Sequence, residues 1–182
     1  SAIGNAPSPI VRIGCTPENP PALPRALEAI ANADLILLGP GSLYTSLLPN
    51  LLVPEIVKAI QLSSAPKLYI CNLMTQPGET DDLDVGGHIR AIEAHLASLG
   101  VTKRLFNSIL AQEDMAPSKL VDYYRERGAV PVKCDKRILK HNKYDVINVQ
   151  LQDSLSSPTL RHDPRRLSIA IMRFYRRYKK NL

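Results

Sequence analysis

Short apolar runs alternate along this chain with segments of helical periodicity. The run from Leu35 to Leu38 contains no polar residue and stops abruptly at Gly39. Such a run is typical of a strand buried on both faces of a parallel sheet. By the same reasoning we predict strands over residues 34–38, 67–73 and 105–110, an edge strand over 130–134, a half-exposed strand over 146–151 and a candidate short strand over 10–13.

Between these runs, apolar residues recur at the spacing of a helix that buries one face. The pattern predicts helices around residues 23–30, over 54–62, 88–99 and 117–128, and from Pro164 towards the end of the chain. Pro117 and Pro164 suit the first helical position, whereas Gly100 and Gly128 suit the residue that follows a helix. Strands that alternate with such helices indicate an α/β fold: a Rossmann-like, doubly wound, mostly parallel sheet with helices on both faces.

Composition places the chain among globular proteins and excludes several other classes. Of its 182 residues, 45% are hydrophobic and 22% are charged, as is usual for one globular domain. No apolar run approaches the roughly 20 residues that span a bilayer, and the first residues do not resemble a secretory signal. The three cysteines form no CxxC pair, so we expect reduced thiols in a cytoplasmic protein rather than a zinc site or a disulfide framework.

The net charge of +6 is concentrated at one end of the chain. Residues 161–182, the predicted basic terminal helix, hold eight of the 23 Lys and Arg and one of the 17 acidic residues. The remainder therefore carries a charge near −1, which argues against a nucleic-acid partner. The basic helix either docks on the sheet with a solvated face or rests on an anionic membrane or an acidic partner. A homodimer also remains open.

Two polar loops follow the first two confident strands. Both belong to the carboxyl edge of a parallel sheet, so we expect them to face one crevice if their strands are neighbours. Their hydroxyl and amide groups are those of Ser42, Tyr44, Thr45, Ser46, Asn50, Asn72, Thr75, Gln76 and Thr80. This uncharged set suits sugar hydroxyls and phosphate oxygens. The alternative is that these residues only shape ordinary turns. No GxGxxG, Walker or GxSxG motif is present, and Ser42 has no evident base partner.

Two long motifs resemble one family. They are Ala33-Asp-Leu-Ile-Leu-Leu-Gly-Pro-Gly-Ser-Leu-Tyr-Thr-Ser-Leu-Leu-Pro-Asn-Leu-Leu52 and Tyr69-Ile-Cys-Asn-Leu-Met-Thr-Gln-Pro-Gly-Glu-Thr80, followed by His88. Together they resemble the YvcK-type gluconeogenesis factors of the 2-phospho-L-lactate transferase (CofD) superfamily. The resemblance implies a cytoplasmic bacterial protein that binds UDP-N-acetylglucosamine and acts in cell-envelope morphogenesis. The ligand-binding residues it implies are Gly39, Pro40, Gly41, Ser42, Leu43, Tyr44, Thr45, Ser46, Asn50, Asn72, Thr75, Gln76, Gly78, Glu79, Thr80 and His88.

The sequence departs from this family in one respect. Members begin with a glycine-rich strand–loop–helix and carry an Asp-Asp-Gly-Gly-Ser-Ser-type segment, and neither is found here. We therefore expect the chain to be the C-terminal portion of a longer CofD-like domain. Residues 1–9 would then be a leader or a cut edge.

Charged candidates for chemistry are few. Glu79, Asp81, Asp82 and Asp84 precede a helix that they are expected to cap, although Glu79 is also a weak candidate for a magnesium ion bridging a diphosphate. His88 is either a half-buried structural residue or a phosphate-binding or acid–base group. His95, His141 and His162 lack partners at metal-ligand spacing and are predicted to be surface groups.

Three functions remain open at this point. The first is a regulator that binds a nucleotide sugar without turning it over. The second is a CofD-like transferase that moves a phospho-lactyl-type group from a nucleotide-linked donor to an alcohol. The third is a scaffold that acts through its basic helix. No residue in either loop is a compelling catalytic base, which favours the regulator.

Overall fold

A computed structural model describes residues 10–115, 118–153 and 159–180 of the chain. Four strands form one sheet in the order β1-β2-β3-β4: β1 (Ile36–Leu38), β2 (Lys67–Ile70), β3 (Ser108–Gln112) and β4 (Asp145–Val149). All neighbouring strands are parallel, and the register places Leu38 beside Tyr69 and Ile70 beside Leu110. The predicted α/β class with a parallel sheet is confirmed.

Helices connect the strands and cover both faces of the sheet. They are α1 (Pro24–Ala31), α2 (Leu48–Leu51), α3 (Pro54–Leu62), α4 (Val85–Ser98), α5 (Lys119–Arg125), α6 (Lys136–His141) and α7 (Pro164–Lys180). On one face, Tyr69 and Ile109 pack with residues of α3 and α4. On the other, Leu68 and Leu110 pack with Ala170 and Phe174 of α7. No helix in these three ranges combines the length and apolarity needed to cross a bilayer.

Local signals explain where the longer helices begin. The Asp84 side chain accepts a hydrogen bond from the Gly87 backbone N–H at 2.6 Å and so caps α4. That cap starts the helix three residues before the predicted position 88. Asp163 accepts from the Arg166 backbone N–H at 2.8 Å and caps α7 with Pro164 at its first position, as expected. Pro117 lies outside the described residues, and α5 begins at Lys119 after a Ser118 cap.

Two predicted strands are wrong. Residues 10–13 form no strand, and residues 130–134 contribute only an isolated bridge between Pro131 and Met74, because proline cannot donate to a ladder. Strand β1 is an edge of the described sheet, and Leu37 is 42% exposed. The predicted burial of that strand on both faces is therefore not found. Helix α6 was not predicted.

Candidate functional site

The turn after β1 requires glycine at position 39. Its backbone φ of +89° is in the left-handed region that favours glycine. A Cβ at this position would lie 2.7 Å from the carbonyl oxygen of Ile70, at the end of the neighbouring strand β2. The turn is thus pressed against the carboxyl end of β2, where the second polar loop starts.

Beyond this turn the predicted loop winds into helix, which divides its side chains between core and solvent. Residues Leu43–Leu47 form one π-helical turn that leads into α2. Leu43 and Tyr44 are buried, and the Tyr44 hydroxyl donates to the Ile10 carbonyl at 3.3 Å. Thr45 is exposed. Of the predicted hydroxyl groups in this segment, only that of Ser42 meets the second loop.

The second loop is held by its own polar side chains. Thr75 is buried, and its hydroxyl accepts from the Val130 backbone N–H at 2.9 Å. Thr80 is fully buried and accepts from the Gln76 backbone N–H at 2.8 Å. Gly78 has a φ of +77° and donates its N–H to Asp81 at 2.7 Å. These three predicted binding residues shape the loop.

Two hydrogen bonds join the loops. The Gln76 side-chain amide donates to the Ser42 hydroxyl at 2.8 Å, and the Gly41 backbone N–H donates to the side-chain Oδ1 of Asn72 at 3.3 Å. The first two strands are neighbours as expected, so both loops face the same crevice. The crevice predicted from the sequence therefore exists.

The two loops form one wall of an open cleft of about 870 Å³ at the carboxyl edge of the sheet, where ligands bind in open α/β folds. Its lining residues from the two loops are Pro40, Gly41, Ser42, Asn72, Leu73, Met74, Thr75, Gln76, Pro77 and Glu79. The remaining lining residues are Tyr124, Arg127, Ala129, Leu160, Arg161 and His162. Below, "the cleft" refers to this space.

Sequence reasoning missed the cationic side of the cleft. Arg127 follows α5, where its guanidinium lies 3.5 Å from the centre of the Tyr123 ring. Arg161 and His162 precede α7, and His162 pairs with Gln152 in an isolated bridge. All three lie at least 47 positions after the Asn72–Thr80 loop in the sequence. The predicted basic terminal helix, residues 161–182, included Arg161 and His162, but neither was predicted to bind a ligand.

His162 and His95 correct the prediction that both are surface groups. His162 Nε2 lies 3.2 Å from the carbonyl oxygen of Cys71, at the end of β2. A carbonyl oxygen only accepts, so Nε2 carries the proton and Nδ1 presents a lone pair. Burial lowers the pKa of His162 and keeps the ring neutral near pH 7. His95 is buried, and its Nε2 accepts from the Ile13 N–H at 3.1 Å.

Two buried oxygens in the cleft wall have no hydrogen-bond partner in the described part of the chain: Gln76 Oε1 and Glu79 Oε2. Burial raises the pKa of Glu79 above its ordinary value. Buried polar atoms are normally satisfied. Both residues line the cleft, so two side-chain acceptors without a protein donor lie in its wall.

Other predicted ligand-binding residues lie apart from the cleft. Ser46 and Asn50 line a second, smaller cavity of about 320 Å³ on the β1 side of the turn. The Asn50 side chain there donates to the Ser46 carbonyl at 2.7 Å. The turn residues Pro40 and Gly41 border both spaces. Hence the turn forms a partition between the two cavities.

His88 is fully buried on α4 and is not among the residues that line the cleft. Its Nδ1 lies 2.9 Å from the Asp84 carbonyl oxygen and so carries the proton. Its Nε2 is buried without a partner among the described residues. Burial lowers the pKa of His88 from 6.5, so the neutral ring is the form that the fold accommodates.

Replacing His88 with asparagine should reduce the acid sensitivity of the fold. The unfolded chain binds a proton on this histidine more readily than the folded chain. The contribution of the neutral ring to the free energy of unfolding is therefore complete above pH 6.5 and is lost as the pH falls through the lower pKa of the folded state. Asparagine keeps an N–H donor for Asp84 and does not titrate. Urea unfolding at pH 7.5 and 5.5 should show a smaller pH difference for His88→Asn than for the parent. An unchanged pH difference would contradict this account.

The described residues do not fit a metal ion held by the protein alone. No group of three or more His, Cys, Asp or Glu within residues 10–115, 118–153 and 159–180 is arranged to hold one. Within the predicted acidic cluster, Glu79 lines the cleft, whereas Asp81 and Asp84 accept backbone N–H groups.

The comparisons with known proteins agree on one family. The family model described as 2-phospho-L-lactate transferase CofD matches residues 1–152. A Nostoc sp. protein is 41% identical over 177 residues, which are 96% of this chain and 38% of that protein. The gluconeogenesis factor of Bacillus subtilis is 38% identical over 159 residues, which are 87% of this chain and 48% of that protein.

The fold is also found in a solved structure. A member of the UPF0052 family from Bacillus halodurans matches with a TM-score of 0.84 and 38% identity. The match covers 94% of this chain and 53% of the solved one. The chain thus spans between about a third and a half of the length of the relatives it matches.

Proposed function

The chain belongs to the CofD family, and from that membership we propose that its cleft binds a phosphate-bearing nucleotide sugar. One observation carries the proposal: a wall rich in hydrogen-bonding groups and two arginines, Arg127 and Arg161, line a single cleft at the carboxyl edge of the sheet. A nucleotide sugar has the matching parts, since its diphosphate is anionic and its sugar is rich in hydroxyl groups.

The arginines suit the diphosphate. A guanidinium presents a planar fork of donors that can hold two phosphate oxygens at once. Arg127 is kept in place by the Tyr123 ring and by its hydrogen bond to the Tyr123 carbonyl at 3.0 Å. Arg161 enters the same cleft from the segment before α7. Two such forks on one side would bind the diphosphate with its charge neutralised.

The polar wall suits the sugar. Gln76 and Glu79 contribute acceptors without a protein donor to the wall, and sugar hydroxyls and an N-acetyl amide are donors of the kind that such acceptors lack. The Ser42 hydroxyl and Asn72 side chain, already linked to this wall, complete a polar surface. UDP-N-acetylglucosamine meets these requirements and is the specific ligand that we propose.

We favour binding without turnover. In the described cleft Ser42 accepts a hydrogen bond from an amide, which cannot take its proton. Nucleophilic catalysis needs a base within reach of the nucleophile, and His162 directs its N–H to Cys71. The alternative is a transferase, the activity that the family description names, which here would act on a nucleotide-linked donor.

The wider role is a proposal about the whole protein, because this chain spans only part of the relatives' length. We propose a gluconeogenesis factor that acts in cell-envelope morphogenesis from the cytoplasm. The name of the B. subtilis relative and the free cysteines at positions 15, 71 and 134 support this proposal. A reducing compartment keeps such thiols unpaired.

A thermal-shift panel tests the ligand. We expect UDP-N-acetylglucosamine at 100 times its Kd to stabilise the 182-residue chain by about 2.7 kcal/mol, or roughly 5–10 °C in Tm for a chain of this size. UMP and free N-acetylglucosamine should give smaller shifts. Chromatography of the same samples after several hours should show intact ligand. Release of UMP or UDP would contradict the regulator and support the transferase. The absence of a Tm shift with any nucleotide sugar would contradict both proposed functions.

A further inference from the structure

A second concave surface lies between the edge strand β4 and the terminal helix α7. Its volume is about 460 Å³, and it shares no lining residue with the cleft. Its lining residues are Ile147, Val149, Gln150, Arg166, Ile169, Ala170, Arg173, Phe174 and Arg177. We call this surface the α7 groove.

The floor of the α7 groove is apolar. Ile147 and Val149 of β4 and Ala170 and Phe174 of α7 all belong to the hydrophobic cluster on this face of the sheet. Ile169 lies at the margin and is 44% exposed. In the described part of the chain β4 pairs with β3 alone. At the edge strand β4, this face of the sheet is thus bordered by α7 on one side, and an apolar strip beside the helix is uncovered.

Arginines form the rim of the groove. Arg166, Arg173 and Arg177 are spaced seven and four residues apart on α7, so they lie along one side of the helix. Arg177 also pairs with Asp145, the first residue of β4. The terminal segment carries a charge of about +7 from its residue counts, whereas the rest of the chain is nearly neutral. Three of the eight basic residues of this segment thus lie on the rim of the groove.

We propose that the α7 groove docks an acidic amphipathic helix of a partner protein. An apolar groove that receives the apolar face of a helix is a recurrent mode of peptide recognition. Carboxylates on the flank of such a helix would meet the arginine rim. The eleven-residue span from Arg166 to Arg177 is about 16 Å at 1.5 Å per residue, so the docked segment is about three turns long.

Two other occupants fit less well. A second copy of the chain with its own α7 in the groove would place arginines against arginines, and like charges across an interface are costly. A membrane offers an anionic but flat surface, whereas this surface is a groove with an apolar floor and a charged rim. Charge and shape together favour the acidic helix.

A designed peptide tests the proposal with the full 182-residue chain. The probe is a fluorescein-labelled 18-residue helix with leucine on one face and glutamate on the other. A second peptide has lysine at every glutamate position. By fluorescence anisotropy we expect the acidic peptide to bind and the basic peptide not to bind. Binding should weaken at least tenfold when salt is raised from 50 to 500 mM.

Two variants that change the net charge equally test whether the peptide binds in the α7 groove. Arg173→Glu should weaken binding of the acidic peptide at least tenfold, and Ile169→Asn at least threefold. Arg176→Glu changes the net charge equally at an exposed position on α7 that does not line the groove, and it should change binding less than twofold. Equal losses for Arg173→Glu and Arg176→Glu would overturn the proposal, because they would show attraction by net charge alone.

Four further measurements address the other occupants, the fold and the cleft. Flotation with phosphatidylglycerol vesicles that depends on Arg173 would overturn the proposal in favour of a membrane. Concentration-dependent dimerisation that Arg173→Glu abolishes would overturn it in favour of a second copy. Circular dichroism of each variant should match the parent, since the exchanged residues are exposed. The nucleotide-sugar thermal shift should be unchanged in Arg173→Glu, which separates this surface from the cleft.

Discussion

Exchanging Gly39 for alanine should destabilise the fold by about 2–5 kcal/mol. Two costs add: a left-handed backbone costs an L-residue about 1–2 kcal/mol, and forced overpacking costs about 1–3 kcal/mol. The second cost arises because the new Cβ would lie 2.7 Å from the backbone oxygen of Ile70. This oxygen belongs to β2 and cannot rotate away as a side chain would. The turn or the strand end must therefore shift.

Gly100 provides the matched control. It follows α4 with a φ of +75°, and an added Cβ would meet nothing within 4 Å. Gly100→Ala should therefore incur only the backbone cost of about 1–2 kcal/mol. Urea unfolding of both variants measures the difference. Equal destabilisation would show that the close approach of the turn to β2 is not what requires glycine at position 39.

Removing both arginines of the cleft should abolish detectable nucleotide-sugar binding. Hydrogen bonds to charged groups contribute about 1.5–3 kcal/mol each, so Arg127→Ala or Arg161→Ala alone should weaken binding by roughly 10–100-fold. The double variant should weaken it by more than 100-fold. Isothermal titration calorimetry with UDP-N-acetylglucosamine measures these losses.

Arg125 is the control for this pair. It lies on α5 two positions before Arg127, pairs with Asp122 at 2.7 Å and does not line the cleft. Arg125→Ala removes the same charge and should leave affinity within twofold. Retained affinity in the double variant, with the fold intact, would remove the arginines from the proposed diphosphate site.

The part of the site formed by residues close in sequence was predictable. The apolar run before Gly39 and the run before Asn72 predicted two strands, and a parallel sheet brings the carboxyl ends of neighbouring strands together. The Ser42–Gln76 hydrogen bond reflects that arrangement. The family motifs led to the same two segments.

The orientation of individual side chains could not be read from composition. Tyr44 and Thr45 are adjacent polar residues in the first loop, yet a helical turn sends Tyr44 into the core and Thr45 to solvent. The pattern Leu43-Tyr44 followed by Leu47-Leu48 is compatible with helical spacing, which could have indicated this. Residues Gly39 to Asn50 were instead interpreted as one binding loop.

The cationic side of the cleft depends on tertiary structure. Arg127 follows α5 in the connection from β3 to β4, and Arg161 precedes α7, which packs in the same hydrophobic cluster as Tyr124 of α5. Neither lies at a motif spacing from Asn72 or from the other. The two arginines come together because of the strand order and the geometry of the crossovers. Helices and strands predicted one by one from the sequence do not specify either.

Amide chemical shifts under titration with UDP-N-acetylglucosamine test the central claim most directly. In two-dimensional ¹H–¹⁵N spectra of the 182-residue chain, the ligand should perturb Gly41, the Gln76 side-chain amide, Arg127 and Arg161. Ile169 in the α7 groove and Thr45 should remain unchanged. Perturbations confined to Ser46 and Asn50, beyond the turn, would place the ligand in the smaller cavity, and an unchanged spectrum would contradict binding altogether.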